Sequence, residues 1–300
     1  MLWNDIVQDY SARDLTRDTD RLVALSGIAS TFVPLLKHWP ENRDGAPKEY
    51  IAGLWSYHII AQLIWYRVAP GPEPRNYIAP SWSWASVNDR VQGTFEEGTA
   101  NARGTASLQT YMSIASIVTW DVKNLNEIQP LGQVTSGTLV VGGKLALASV
   151  FPTPHEAAGC FRFEGLSEPF IFQGGEKSMV KRDFDSNHIM RPGSIVYFTP
   201  LRAKTIRVST SHYPLGMWTL EGLLLIPTEQ KQARENEEKN SLPSSYRRVG
   251  IWKLKGADHI RGFIKAMRFC DQKHEQMLTE ICEEIEAFET GDKAFRISII

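Results

Sequence analysis

Apolar residues change their period along this chain from about residue 105 to 265, and that switch limits the fold more than any single motif. Before it they recur at helical spacing; within it, short β-branched runs are separated by Gly, Pro and Asn. The order predicts an α+β fold: N-terminal helices packed on a mostly antiparallel β-sheet or partly closed barrel, with a C-terminal helix covering an edge or open face. The regions read as 1–90, helical and tryptophan-rich; 91–268, β-rich and packed with it; and 269–300, the C-terminal helix and tail.

In the first region Thr16 is a candidate N-cap, Asp18 and Asp20 suit a first turn, and Leu22, Leu25, Ile28 and Phe32 make one stripe. The stretch Trp39–Pro47, with two prolines and a glycine, predicts a loop. A second helix is expected over Lys48–Tyr66, apolar almost all round and therefore set in a core. Its apolar run is shorter than the ~20 residues a bilayer requires, and His58 and Gln62 interrupt it, so no membrane role is expected. Pro70-Gly71-Pro72-Glu73-Pro74 cannot be helical, and beyond it Trp82 and Trp84 would share one face of a strand.

Strands are expected at Met112–Trp120, Gly137–Ala146, Phe161–Phe163, Ser194–Phe198, Lys204–Val208, Gly216–Leu225 and Tyr246–Lys253. The charged run 229–240 predicts a solvated hairpin loop, and residues 268–289 carry the stripe of a final helix.

Charge and cysteine content narrow the function. With 33 Lys+Arg against 34 Asp+Glu the net charge is −1, which offers no basic field for nucleic acid or acidic lipid. Three scattered cysteines form neither a disulfide framework nor a zinc ribbon. The first residues lack a signal-peptide pattern and no Asn-x-Ser/Thr sequon occurs, so a cytoplasmic protein is expected. Gly137–Lys144 has one residue too many for a phosphate loop and reads as a strand, and no G-x-S-x-G elbow surrounds any serine. Asp183-Phe184-Asp185-Ser186-Asn187-His188 has the spacing of a hard-metal or general-base turn, but also of a polar loop whose Asp and Asn cap their own backbone.

The unusual feature is nine tryptophans, five of them between Trp39 and Trp84. Aromatic clusters of this kind build cores. They also wall apolar cavities, and Trp55, Trp65, Trp82 and Trp84 could do so here, with His58, Tyr57, Ser81 and Ser83 as the few polar groups that orient a ligand.

Four blocks in order, Tyr10–Thr16 with Asp20–Ala29, Tyr50–Trp55, Leu63–Trp65 and Ala79–Ser86, resemble the region that follows the effector domain in fungal heterokaryon-incompatibility (HET) proteins. A fainter likeness runs through Gly222–Leu225 and Tyr246–Gly250. In that family the HET domain precedes these blocks and triggers cell death when unlike strains fuse. Met1 stands just before the first block, so the resemblance implies a scaffold without its effector, and it assigns no catalytic residue.

Two functions follow as expectations. In one, the chain binds an apolar small molecule among Trp55, Tyr57, Trp65, Trp82, Ser83 and Trp84. It could act as a cofactor-free cyclase or isomerase of specialised metabolism, with His58 polarising a carbonyl or orienting a hydroxyl. Holding a substrate in a reactive conformer lowers a barrier by up to ~7–11 kcal/mol in the best intramolecular cases. In the other, it is a non-catalytic module that recognises a fungal partner protein in allorecognition, and the aromatics are core.

Overall fold

The computed structural model describes residues 2–37, 49–93, 108–126, 128–152, 159–164, 168–172, 178–185, 190–207, 217–228, 243–256 and 295–300, with 166, 260 and 263. The expected loop at Trp39–Pro47, the charged run 229–240 and the helix at 268–289 lie outside these residues.

The chain opens with helix α1 (Leu2–Ser11), which the sequence reading did not anticipate and which buries Trp3 and Val7. A 3₁₀ turn at Asp18–Asp20 leads into α2 (Arg21–Lys37), matching the expected amphipathic segment. Its buried stripe is Leu22, Leu25, Ala29 and Leu36, whereas Ile28 is exposed. At 100° per residue Ile28 falls roughly 90° from the middle of that stripe, so it faces solvent.

The apolar run 48–66 is not a helix. Strands β1 (Tyr50–Ile51) and β2 (Leu54–Trp55) form a tight hairpin, followed by the single turn α3 (Ile59–Gln62) and by β3 (Trp65–Arg67). Three residues in this stretch have positive φ, Ala52 at 46°, Gly53 at 95° and His58 at 52°, and a right-handed helix cannot pass through them. Gln62 replaces the lost helical bonding. Its carboxamide oxygen accepts from the Trp55 N–H at 2.9 Å, and its amide donates to the carbonyls of Trp55 at 2.9 Å and Tyr57 at 2.7 Å. All-round apolarity marks burial, and a buried hairpin satisfies it as well as a buried helix.

Strand β4 (Val91–Gly93) pairs with β3. The rest of the fold is a large sheet built from β5 (Leu108–Ser113), β6 (Ser116–Asn124), β7 (Val134–Gly143), β8 (Ala146–Val150), β9 (Cys160–Phe163), β10 (Phe170–Ile171), β11 (Ser178–Arg182), β12 (Ile195–Arg207), β13 (Met217–Pro227), β14 (Tyr246–Lys255) and β15 (Phe295–Ile299). Its order is β10-β9-β8-β12-β13-β14-β15-β7-β6, with β11 also on β14 and β5 also on β12. Every pairing in it is antiparallel except β14 with β15. The fold is thus α+β with few helices. The last residues, expected to be a tail, are a strand inside the sheet.

The runs expected at Ser194–Phe198 and Lys204–Val208 form the single strand β12. Pro200, which has no N–H for a ladder, sits at a register shift between Pro200 and Arg202, and the strand continues through it. Segment 137–144 forms most of β7, as a strand.

Alternation sends the sheet's side chains into two cores. Leu139, Val141, Tyr197, Leu223, Leu225, Ile251 and Ile297 join the tryptophans in the first core, together with Trp3, Leu22 and Leu25 of the helices. Val196, Phe198, Leu224, Val249 and Trp252 face the second core, with Phe161, Phe163 and Phe172. One core therefore spans residues from both sides of position 90.

Candidate functional site

Hydrogen bonds tie part of the tryptophan block together, while the buried indole nitrogens of Trp55 and Trp82 have no hydrogen-bond partner among the described residues. The Gly53 carbonyl accepts from the indoles of Trp3 at 3.1 Å and Trp84 at 2.8 Å. Trp65 donates to the Trp82 carbonyl at 2.9 Å, and the Ser83 hydroxyl caps a 3₁₀ turn at Trp84–Ser86 by accepting from the Ala85 N–H at 3.1 Å. Trp82 and Trp84 thus share a buried turn, and the expected strand is absent there. Trp3, Tyr50 and Trp55 meet edge to face, with centroids 5.1 to 5.8 Å apart. The cavity bordered by Trp3, Trp65 and Trp84 has a volume of about 20 Å³, room for a water-sized group.

The structure therefore gathers Trp55, Trp65, Trp82, Ser83 and Trp84 in one core, each nearly free of solvent contact. Tyr57 is half-buried and His58 is exposed, its ring edge-to-face with Tyr57 at 4.5 Å. His58 does not border the cavity at the indoles. It holds a left-handed conformation that costs an L-residue about 1–2 kcal/mol. His58→Gly is accordingly expected to be neutral or stabilising by up to about 1 kcal/mol, the cost of Gly in the unfolded chain offsetting the relief. Chemical denaturation checks it, and a loss above 1 kcal/mol would reveal a contact that the exposed ring does not account for.

A buried ion pair fastens this block to the sheet. Arg248 on β14 is fully buried, and its Nε donates to Asp183 Oδ2 at 3.1 Å. Its Nη1 donates to the Leu63 carbonyl at 2.8 Å and its Nη2 to the Trp65 carbonyl, while the guanidinium lies 3.4 Å from the centroid of the Trp65 ring. Arg67 adds a bond to the Asp183 carbonyl and a salt bridge to Asp89. Burial pushes the Asp183 carboxyl up from its ordinary range, and the guanidinium groups of Arg248, Arg67 and Arg247 oppose that rise. Asp183 is thus neither a solvated turn residue nor open to a metal. Asn187 and His188 lie outside the described residues.

Phe184 follows Asp183 and is itself buried in the first core, while Arg247 precedes Arg248 and is about one-third exposed; the Arg247 guanidinium lies 4.9 Å from the centroid of the Phe184 ring. They form one wall of an open groove of about 540 Å³. Its other walls are Glu73–Ala79, Ser136–Thr138 at the start of β7, Thr228 after β13, and Ile300. Glu73 forms an ion pair with Arg247. Tyr77 is half exposed, and partial burial pushes its phenol up to about 12, so near neutrality it is a hydrogen-bond donor.

Ser81, at the groove floor, completes the sheet. Its hydroxyl accepts from the Arg248 N–H at 3.0 Å and donates to the Ile300 carbonyl, bridging two groups that a parallel ladder would pair directly. Gly137 is required beside it, because a Cβ there would stand 2.4 Å from Pro80 Cγ. The groove was missed in the sequence reading, which followed tryptophans. The available signal was Arg247-Arg248 at the start of a strand otherwise rich in buried positions, one arginine to each face.

Among the described residues no group of three His, Cys, Asp or Glu side chains could hold a metal, and no helix is long and apolar enough to cross a membrane. Cys160 is buried, and burial pushes its thiol up. No protein-family model, curated protein or solved structure matches the chain.

Proposed function

We propose that this chain is a non-catalytic recognition module of HET-related lineage that receives a segment of a partner protein in the groove between Glu73–Ala79, β7 and β14. The observation that carries the reading is the groove itself: about 540 Å³ and open, with an apolar floor of Ile78, Ala79 and Phe184 beside Tyr77, Arg75 and Arg247. Tyr and Arg set around apolar contacts are the composition that anchors protein interfaces. The blocks that carry the resemblance pack on one another through Tyr10, Tyr50, Trp55 and Trp84, which suits a scaffold role for the tryptophans.

A small-molecule occupant is the second reading, favoured by a volume inside the range of about 300–1,000 Å³ typical of ligand sites. It would place the ligand in the groove, away from the indoles. Ser136→Trp, at an exposed position on the groove wall, separates the readings from nonspecific binding. Affinity capture from an extract of the source organism with wild-type chain, Ser136→Trp and His58→Ala is the test, with native mass spectrometry of the same samples. A protein partner lost at least tenfold with Ser136→Trp and kept with His58→Ala is the expected result. A retained metabolite, or a partner indifferent to Ser136→Trp, overturns it.

A further inference from the structure

We propose that the groove selects an occupant with a carboxylate beside an apolar side chain, and that Glu73 is an internal stand-in for that carboxylate. The inference rests on the groove being the binding site and goes on to say what it reads.

The argument begins with Arg247. Its guanidinium lies 4.9 Å from the centroid of the Phe184 ring, and its side chain is about one-third exposed. A guanidinium carries five N–H donors in a fixed fork. Here Glu73 engages Nη1, and no other polar partner of Arg247 stands among the described residues. The remaining donors stay available to a second acceptor.

Arg75, two residues beyond Glu73, is exposed on the same groove and has no ion-pair partner among the described residues. Among the side chains that line the groove, two arginines stand against the one carboxylate of Glu73. Glu73 lies in a loop punctuated by Pro70, Pro72 and Pro74, and its own side chain is 43% exposed. An exposed ion pair of this kind contributes about 0–1 kcal/mol, so an incoming carboxylate can displace it at little cost. The apolar floor of Ile78, Ala79 and Phe184 would take the side chain attached to that carboxylate.

The probes are N-acetyl-leucyl-phenylalanine as the free acid and as its amide, titrated into isotope-labelled chain at low salt while the amide signals of Gly137 and Thr138 are followed. The acid is expected to bind about tenfold more tightly than the amide, the gain of one charge-assisted hydrogen bond to a guanidinium. Glu73→Gln should tighten acid binding a further twofold or more without changing amide binding. Arg247→Gln and Arg75→Gln should each shrink the preference, as should 0.5 M salt through screening. The fold is monitored by thermal melting, and Arg75→Gln disturbs no described contact. If acid and amide bind equally, or if the preference survives both arginine substitutions, the carboxylate inference fails while the groove stands. If neither probe moves Gly137 or Thr138, the groove reading fails with it.

Discussion

Arg248→Met is expected to cost about 3–5 kcal/mol of folding stability, because it leaves Asp183 charged and buried without its counter-ion. It also removes the donors to the Leu63 and Trp65 carbonyls, the bonds through which β14 holds the hairpin segment. The deficit should depend on pH in a direction fixed by Asp183. Burial already pushes that carboxyl up, and Arg248 is the main opposing influence, so its removal raises the folded-state value further above the ordinary carboxylate range of about 3.9. A group raised on folding gives its full stability below the unfolded value and loses it as pH rises through the folded one. The difference between wild type and Arg248→Met should therefore be smallest near pH 4 and widen toward neutrality, by up to about 1.4 kcal/mol per pH unit. Adding Asp183→Asn should recover part of the loss and flatten the profile, since the double variant buries no unpaired charge. Urea unfolding of the three proteins between pH 4 and 8 checks this. A deficit independent of pH, or a double variant no better than Arg248→Met, would show that Asp183 is not the group left exposed to the penalty.

The same substitution tests whether stability and the groove share one anchor. Arg248 turns inward where its strand neighbour Arg247 turns outward, and Phe184, buried beside Asp183, lies under the Arg247 guanidinium, so the buried pair adjoins the groove wall. Loosening the pair should relax the stacking of Arg247 on Phe184 before it unfolds the sheet. A groove is well placed there, since its arginine needs a rigid platform and the ion pair provides one.

What the sequence disclosed depended on which signals are local. Apolar runs mark strands through each strand's own faces, and Phe161–Phe163 and Tyr246–Lys253 were readable for that reason, whereas the run expected at Gly137–Ala146 leaves β7 after Gly143 and enters β8 only at Ala146. The α2 stripe was readable from Leu22 and Leu25, although the exposed Ile28 was counted with it. The segment at 50–67 failed because its apolar residues record only burial, while the turn depends on the φ of Ala52 and Gly53, which no periodicity reveals. Strand β15 lies far from its partners in the sequence, and its place between β7 and β14 comes from long-range pairing. The tryptophans drew the site assignment because nine of them are unusual in such a chain, yet the indoles of Trp3, Trp65 and Trp84 turn to the Gly53 and Trp82 carbonyls. The groove, assembled from an arginine, a phenylalanine and a proline-bounded loop far apart in the chain, has no contiguous motif.

Gly53→Ala should be the most damaging small substitution in the hairpin, at about 2–6 kcal/mol. Two costs add. At φ 95° an alanine pays backbone strain of about 1–3 kcal/mol, and its Cβ would stand 2.8 Å from the Trp84 indole nitrogen and 3.2 Å from Leu22 Cδ2, an overpacking worth about 1–3 kcal/mol. Any shift that relieves the clash also moves the carbonyl that holds both Trp3 and Trp84, so helix α1 and the 3₁₀ turn loosen together. The neighbouring Ala52→Gly runs the other way. It relieves a left-handed alanine at φ 46° but gives up a buried methyl and restrains the unfolded chain less, terms of about 1 kcal/mol each that leave the stability within about 1 kcal/mol of wild type. Thermal and chemical unfolding of the two variants, one residue apart and differing by the same methyl group, isolates the turn from general loss of packing. Equal destabilisation by both would mean that the methyl matters and the turn does not. A loss confined to Gly53→Ala would identify the left-handed turn as the reason this apolar stretch is a hairpin and not a helix.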